Sequence, residues 1–184
     1  DVYKRQEFQD TEDQANVTSE LLFDLNSGLP MDRLICGDVG FGKTEVALRG
    51  AFNVAMSGAQ VAFIVPTTLL CIQHYENFTK RFKNFPLKVD QISRLNSTSE
   101  NNKIIERINS GESDVVVGTH ALLNIKIKFK KLGMLIIDEE QHFGVSQKEK
   151  IKSLRSNVHL LALTATPIPR TLQMSLVGLR DLSI

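Results

Sequence analysis

Gly37-Asp38-Val39-Gly40-Phe41-Gly42-Lys43-Thr44 matches the pattern G-x-x-x-x-G-K-[ST] in full. The spacing has a chemical reason. Glycines let the backbone wrap closely around a phosphate with its N–H groups turned inward. Lys43 reaches the terminal phosphates as a mobile cation, and the Thr44 hydroxyl is placed for Mg²⁺. A helix opening at Lys43 adds its partially positive end. The context fits: the apolar run 33–36 precedes the loop, and a stretch of helical composition, 43–56, follows it. That strand–loop–helix order is what a phosphate-binding loop requires.

Working outward, the same alternation recurs along the chain. Short runs rich in Val, Ile and Leu predict strands over 33–36, 60–65, 87–92, 114–117, 134–138 and 159–163. Amphipathic stretches between them predict helices over 11–26, 43–56, 67–82, 97–108, 146–154 and 169–176, with Ser97 or Ser99 as a cap. Strand alternating with helix implies an α/β fold with a mostly parallel sheet and helices on both faces. Ligands of such sheets bind beyond the carboxyl ends of the strands. The residues that follow the expected strands are small, polar or charged in all six cases: the loop above, Pro66-Thr67-Thr68, Ser93-Arg94, Gly118-Thr119-His120, Asp138-Glu139-Glu140-Gln141 and Thr164-Ala165-Thr166-Pro167.

Asp138, Glu139 and Glu140 end an apolar strand, Leu135-Ile136-Ile137. Adjacent carboxylates there repel one another unless a cation or water network compensates. Beside a phosphate loop the compensating cation is Mg²⁺. Asp138 is expected to bind its shell, and Glu139 to orient or deprotonate an attacking water.

These words carry a resemblance. Asp138-Glu139-Glu140-Gln141 resembles the DExQ box of superfamily 2 helicases and translocases. Thr164-Ala165-Thr166 resembles their third motif, which links ATP state to DNA grip. Pro66-Thr67-Thr68-Leu69-Leu70 and Gly118-Thr119-His120 resemble their DNA-contacting boxes. Thr11-Glu12-Asp13-Gln14 resembles the upstream glutamine motif, in which Gln14 reads adenine, and Phe8 matches the aromatic position near the base. The longer words, Met31-Asp32-Arg33-Leu34, Gly42-Lys43-Thr44-Glu45-Val46-Ala47 and the stretches 138–145 and 164–172, resemble the transcription-repair coupling branch of that superfamily. The RecG-like, fork-remodelling branch shares the phosphate loop and the Thr164–Leu172 wording but usually reads DEQH at the acids. His142 stands where a basic residue usually follows.

The resemblance implies a RecA-like P-loop lobe over 11–184, with 1–10 a partial N-terminal flank. It implies ATP and Mg²⁺ as cofactors, bound by the eight loop residues, Gly37 to Thr44, with Phe8 and Gln14. Lys43, Asp138, Glu139 and Gln141 would be catalytic, and Thr44 and Asp138 would hold the metal. Gln141 would sense the γ-phosphate and pass its state to Thr164 and Thr166. Thr67, Thr119 and His120 would hold phosphates of double-stranded DNA beside Gly118, contacts that position without reading bases. Arg94 could touch phosphate or merely solvate a loop.

The chain starts at Asp1 rather than Met and stops at Leu182-Ser183-Ile184 in an apolar run, so both ends read as cut. It holds no second set of motifs, hence no second RecA-like lobe and no arginine finger, worth about 10³–10⁵ in rate where measured. It is expected to bind ATP but hydrolyse it poorly alone. RNA polymerase and excision-repair proteins would be partners through modules elsewhere. A guanine-reading N/T-K-x-D word is missing, which sets a small GTPase aside, and no lid or acceptor site argues for a kinase.

Composition agrees. The 184 residues are 42% hydrophobic and 23% charged with net charge +1, ordinary for a globular domain and unlike a basic tail. No apolar run reaches the ~20 residues that span a bilayer, and no secretory signal opens the chain, so a cytoplasmic location is expected, in a bacterium as the resemblance implies. Cys36 and Cys71 are far apart in apolar surroundings and read as buried thiols. His74 reads as packing or facing solvent within a helix, and His159 as a strand residue. Lys126-Ile127-Lys128-Phe129-Lys130-Lys131 offers a basic patch for DNA, but its alternation reads rather as an edge strand whose lysines discourage sheet pairing.

Overall fold

The structure, a computed structural model, describes residues 11–38, 42–124, 126–154, 157–166 and 181–183. Its centre is a parallel sheet of β1 (Asp32–Cys36), β2 (Gln60–Ile64), β3 (Val89–Ile92), β4 (Val115–Gly118), β5 (Leu132–Asp138), β6 (His159–Thr164) and β7 (Asp181–Ser183). The spatial order is β3-β4-β2-β5-β6-β1-β7. Helices α1 (Glu12–Leu25), α2 (Lys43–Met56), α3 (Thr68–Phe82), α4 (Thr98–Ser110) and α5 (Val145–Leu154) cover it.

Strand periodicity decides which helix lies where. Successive side chains point to opposite faces. Val61, Phe63, Met134, Ile136, Leu161 and Leu163 face one core, closed by α1, α2 and α3. Ala62, Ile64, Leu135, Ile137 and Leu160 face the other, closed by α4, α5 and the short turn His120–Leu123. The helix starts follow from their caps. Thr67 accepts from Leu70 N–H, and Ser97 forms a capping box with Glu100. Both cysteines are buried thiols, and neither is in a disulfide. Burial pushes Cys71 up to about 11, which keeps it protonated and unreactive.

Two features depart from the sequence reading. The segment 126–131 is not a strand. Its backbone is claimed by side chains: Asn109 Nδ2 donates to Lys126 O (3.1 Å), Lys128 N–H to Asn109 Oδ1 (2.7 Å) and Lys131 N–H to Gln60 Oε1 (3.0 Å). Ile127 is buried and Phe129 packs beside it, so the alternation reflects one-sided burial of a strap leading into the central strand β5. The second is β7, which is not among the expected strands. It pairs with β1, where buried Arg33 donates to Ser183 Oγ (2.6 Å), Glu20 (2.9 Å) and Asp24 (2.7 Å), tying α1 and β7 to the same strand. The helix expected over 169–176 lies outside the described residues.

His159 begins β6, and its Nδ1 accepts the Met31 N–H (3.0 Å), which requires an unprotonated nitrogen. Burial holds its pKa below the ordinary 6.5, against the pull of Asp24. A pKa depressed by folding contributes stability that is present above the unfolded value and lost as pH falls through the folded one. Melting temperature should therefore drop as pH falls below the ordinary 6.5, and His159→Asn, which keeps an acceptor but does not titrate, should flatten that part of the profile. Parallel profiles for the two proteins would show that His159 is not responsible.

Candidate active site

The phosphate loop leaves the sheet anchored: Gly37 N–H donates to Thr164 O (3.1 Å), fastening its start to β6. Val39, Gly40 and Phe41 lie outside the described residues, as does Phe8. The chain returns at Gly42, which caps α2 with φ +81. Lys43 Nζ donates to Gly37 O (2.5 Å) and Asp38 O (3.0 Å), so the ammonium spans the loop from its helical end to its strand end. Thr44 follows in the first turn of α2, half-buried. Glu45, next along, is engaged by Arg49 (3.0 Å) and by Arg81 from α3.

Gln14 lies against this loop. It completes a capping box with Thr11: Thr11 N–H donates to Gln14 Oε1 (3.1 Å), and Gln14 N–H to Thr11 Oγ1 (3.3 Å). T-x-x-Q is a helix-start signal in its own right. The side chain fills the space over Gly42, where a Cβ would stand 2.2 Å from Gln14 Nε2. Gly42→Ala should thus cost about 1–2 kcal/mol for the left-handed backbone, plus the displacement of Gln14. In a Gln14→Ala background the second part should vanish. Equal losses of melting temperature in both backgrounds would mean that Gln14 exerts no pressure on Gly42.

The acids sit two strands away. Neighbouring strands lie about 4.8 Å apart, which puts β5 about 10 Å from β1 across β6. Asp138 closes β5 with its side chain largely buried, Oδ2 3.5 Å from His74 Nε2. Glu139 then takes a left-handed backbone, φ 52 and ψ 58, unusual for a non-glycine residue. The turn aims its carboxylate at the end of β6. Oε1 accepts the Ala165 N–H (2.9 Å), and Thr164 Oγ1 lies 3.4 Å from Oε2. Gln141 Nε2 donates to Glu139 Oε2 and to Thr166 Oγ1 (3.2 Å), and Thr166 N–H returns to Thr164 Oγ1 (3.1 Å). The acidic turn and Thr164-Ala165-Thr166 are therefore one bonded network.

The remaining expected residues collect on the other half of the same edge, beyond β3, β4 and β2. Thr67 is exposed at the start of α3, and Arg94 is exposed after β3. Thr119 is buried and accepts the Ala121 N–H (3.4 Å), while His120 is exposed. A hydroxyl that accepts from a turn still has its hydrogen to donate. Gly118 has a packing reason to be glycine: a Cβ there would meet Leu122 Cγ at 2.5 Å and Ile92 O at 3.0 Å. So the edge divides into a half built by β5, β6 and β1 and a half built by β3, β4 and β2.

His74 joins the halves, a contact the sequence reading missed. The signal was there: Cys71, His74, Phe78 and Phe82 recur at helical spacing and are all buried.

Residues 11–175 match the model of the DEAD/DEAH box helicases. The chain belongs to that family. It is 54% identical over 177 residues to the transcription-repair-coupling factor of Escherichia coli K12, covering 96% of this chain and 15% of the relative. The factor of Rickettsia bellii is 55% identical over 181 residues, covering 96% and 16%. That of Bacillus subtilis 168 is 52% identical over 177 residues, covering 96% and 15%. The helicase chain thus spans about a sixth of the length of these relatives. A solved structure of RecG bound to a three-way DNA junction superposes with TM-score 0.84 at 37% identity, covering 98% of this chain and 24% of that one. The sheet with helices on both faces is the RecA-like α/β fold of such helicases. Among the described residues, no helix is long and apolar enough to cross a membrane.

The oxygen donors suit Mg²⁺. That ion is usually held by one or two carboxylates plus substrate phosphates rather than by an all-protein cage. Thr44 and Asp138 are donors of this kind, and among the described residues no cluster of His, Cys, Asp and Glu forms a closed metal site.

Proposed function

We propose that this chain is the ATP-binding lobe of an ATP-dependent double-stranded DNA translocase, one that displaces stalled RNA polymerase and couples transcription to nucleotide excision repair. The observation that carries the proposal is the network joining Glu139 to Ala165 and Gln141 to Thr166. It lets one carboxylate serve hydrolysis while remaining bonded to the segment that relays nucleotide state.

In this reading the loop Gly37 to Thr44 holds the phosphates through backbone N–H groups, and Lys43 turns from its carbonyl partners to the β- and γ-oxygens. Thr44 and Asp138 hold Mg²⁺, which supplies charge neutralisation at those oxygens. Glu139 orients the attacking water and takes its proton. Gln14 and Phe8 receive the base. Thr67, Arg94, Thr119 and His120 meet DNA phosphates on the other half of the edge, Gly118 letting the backbone approach, while Thr164 and Thr166 relay between the halves. Efficient hydrolysis needs a second RecA-like lobe, and polymerase and repair proteins bind through other modules of the longer protein.

The RecG likeness favours a second reading, fork remodelling, by a lobe with the same chemistry. The higher identity to the coupling factors supports the first. The test is ATP hydrolysis by the full chain with linear duplex or three-way junctions as stimulant, beside release of a stalled transcription complex. Stimulation by linear duplex with release supports the first reading. Stimulation by junctions alone supports the second, and a folded protein that binds no Mg-ATP overturns both.

A further inference from the structure

His74 is a buried polar group for which the proposed chemistry has no use. It lies on α3, 6% exposed, with its ring edge-on to Phe63 of β2 at 4.6 Å and 68°. Its Nδ1 is buried with no hydrogen-bond partner among the described residues. Its Nε2 faces Asp138 Oδ2 at 3.5 Å. A histidine kept only to fill space leaves two polar nitrogens to be desolvated at a cost that leucine or phenylalanine avoids. Here one nitrogen stands at ion-pair distance from a carboxylate. With the ring hydrogen on Nε2, the orphaned Nδ1 is a bare lone pair rather than a buried unpaired N–H.

We propose that His74 is a positioning residue for the metal-binding carboxylate. Nε2–H would restrain Oδ2 of Asp138, and the carboxylate so held would meet the ion or its water shell. Carboxylates and imidazoles that ligate metals are commonly oriented by such outer partners. The contact also crosses the division of the sheet edge. α3 starts at the Thr67 cap after β2, and two turns later it holds the carboxylate that ends β5. The proposal rests on the metal-binding role given above to Asp138, and its test separates the two.

In the full chain, Mg²⁺ is titrated against binding of a fluorescent ATP analogue, and Mn²⁺ is followed by electron paramagnetic resonance as a second probe. Asp138→Asn is the control. His74→Phe keeps a ring beside Phe63 and removes the donor. It should raise the Mg²⁺ needed for half-maximal binding by about 10–100-fold, with metal-free nucleotide binding unchanged. His74→Gln, whose Nε2 can occupy the same position, should stay near wild type. If His74→Phe does not fold, as judged by its melting curve, His74→Asn replaces it, being too short to reach Asp138, and should show the same loss. An impaired Asp138→Asn beside a normal His74→Phe overturns the proposal. So does equal impairment of the Phe and Gln variants. A normal Asp138→Asn overturns the role of Asp138 and the proposal with it.

Discussion

Glu139→Gln should slow DNA-stimulated ATP turnover in the full chain by about 10²–10⁴-fold, the usual contribution of a positioned general base. Affinity for Mg-ATP should change little, because in the proposed mechanism the side chain meets water rather than phosphate. The substitution is nearly isosteric. An amide oxygen at Oε1 still accepts the Ala165 N–H, so the left-handed turn at Glu139 keeps its main fastening. At Oε2 the new amide would face the Gln141 amide, and a flip of Gln141 restores a donor–acceptor pair. The variant is thus expected to fold, bind and stall. Steady-state turnover beside calorimetric binding reads both quantities. Turnover within tenfold of wild type would remove Glu139 from the chemistry and leave it a structural clasp on β6.

Lys43→Ala should weaken Mg-ATP binding by about 10–100-fold, since hydrogen bonds to charged groups are worth roughly 1.5–3 kcal/mol. The bonds it makes to Gly37 O and Asp38 O are to carbonyls at the rim of the loop, where water can replace the ammonium. Melting temperature should therefore move little. Calorimetry and thermal melting in parallel separate a lost ligand contact from a damaged loop. Unchanged affinity would show that the loop binds by its N–H groups alone. A large loss of melting temperature would assign Lys43 to folding of the loop.

Much of this arrangement is legible from residue types. The six longer strands and the helices around them follow from apolar periodicity, and their ends carry the loop, the acids and the threonines. The rest depends on contacts that local pattern does not encode. β7 is three residues, Asp181-Leu182-Ser183, held by partners on β1 and α1. Residues 126–131 carry a strand's alternation, but Asn109 and Gln60 take their backbone groups. The αL turn at Glu139 is not the choice of a glutamate's own preferences. Tertiary bonds to Leu163 and Ala165 offset its cost. His74 could be placed on a buried face from the spacing of Cys71 and Phe78, but its meeting with Asp138 needs the order of β2 and β5 in the sheet.

That order also sets a schedule for assembly. β2, β3, β4 and β5 all come from residues 60–138 and are contiguous in space, so this half of the sheet can close on itself as it is synthesised. β1 is made before any of them, yet its neighbours are β6 and β7, whose residues begin at 159. Parallel pairings over such sequence separations are slow to form. Of the described strands, the one that presents the phosphate loop is therefore made first but seated only once β6 has been made. Until His159 and the residues after it appear, it has no hydrogen-bonded partner among the described strands, and its apolar residues Leu34 and Ile35 must be kept from other company.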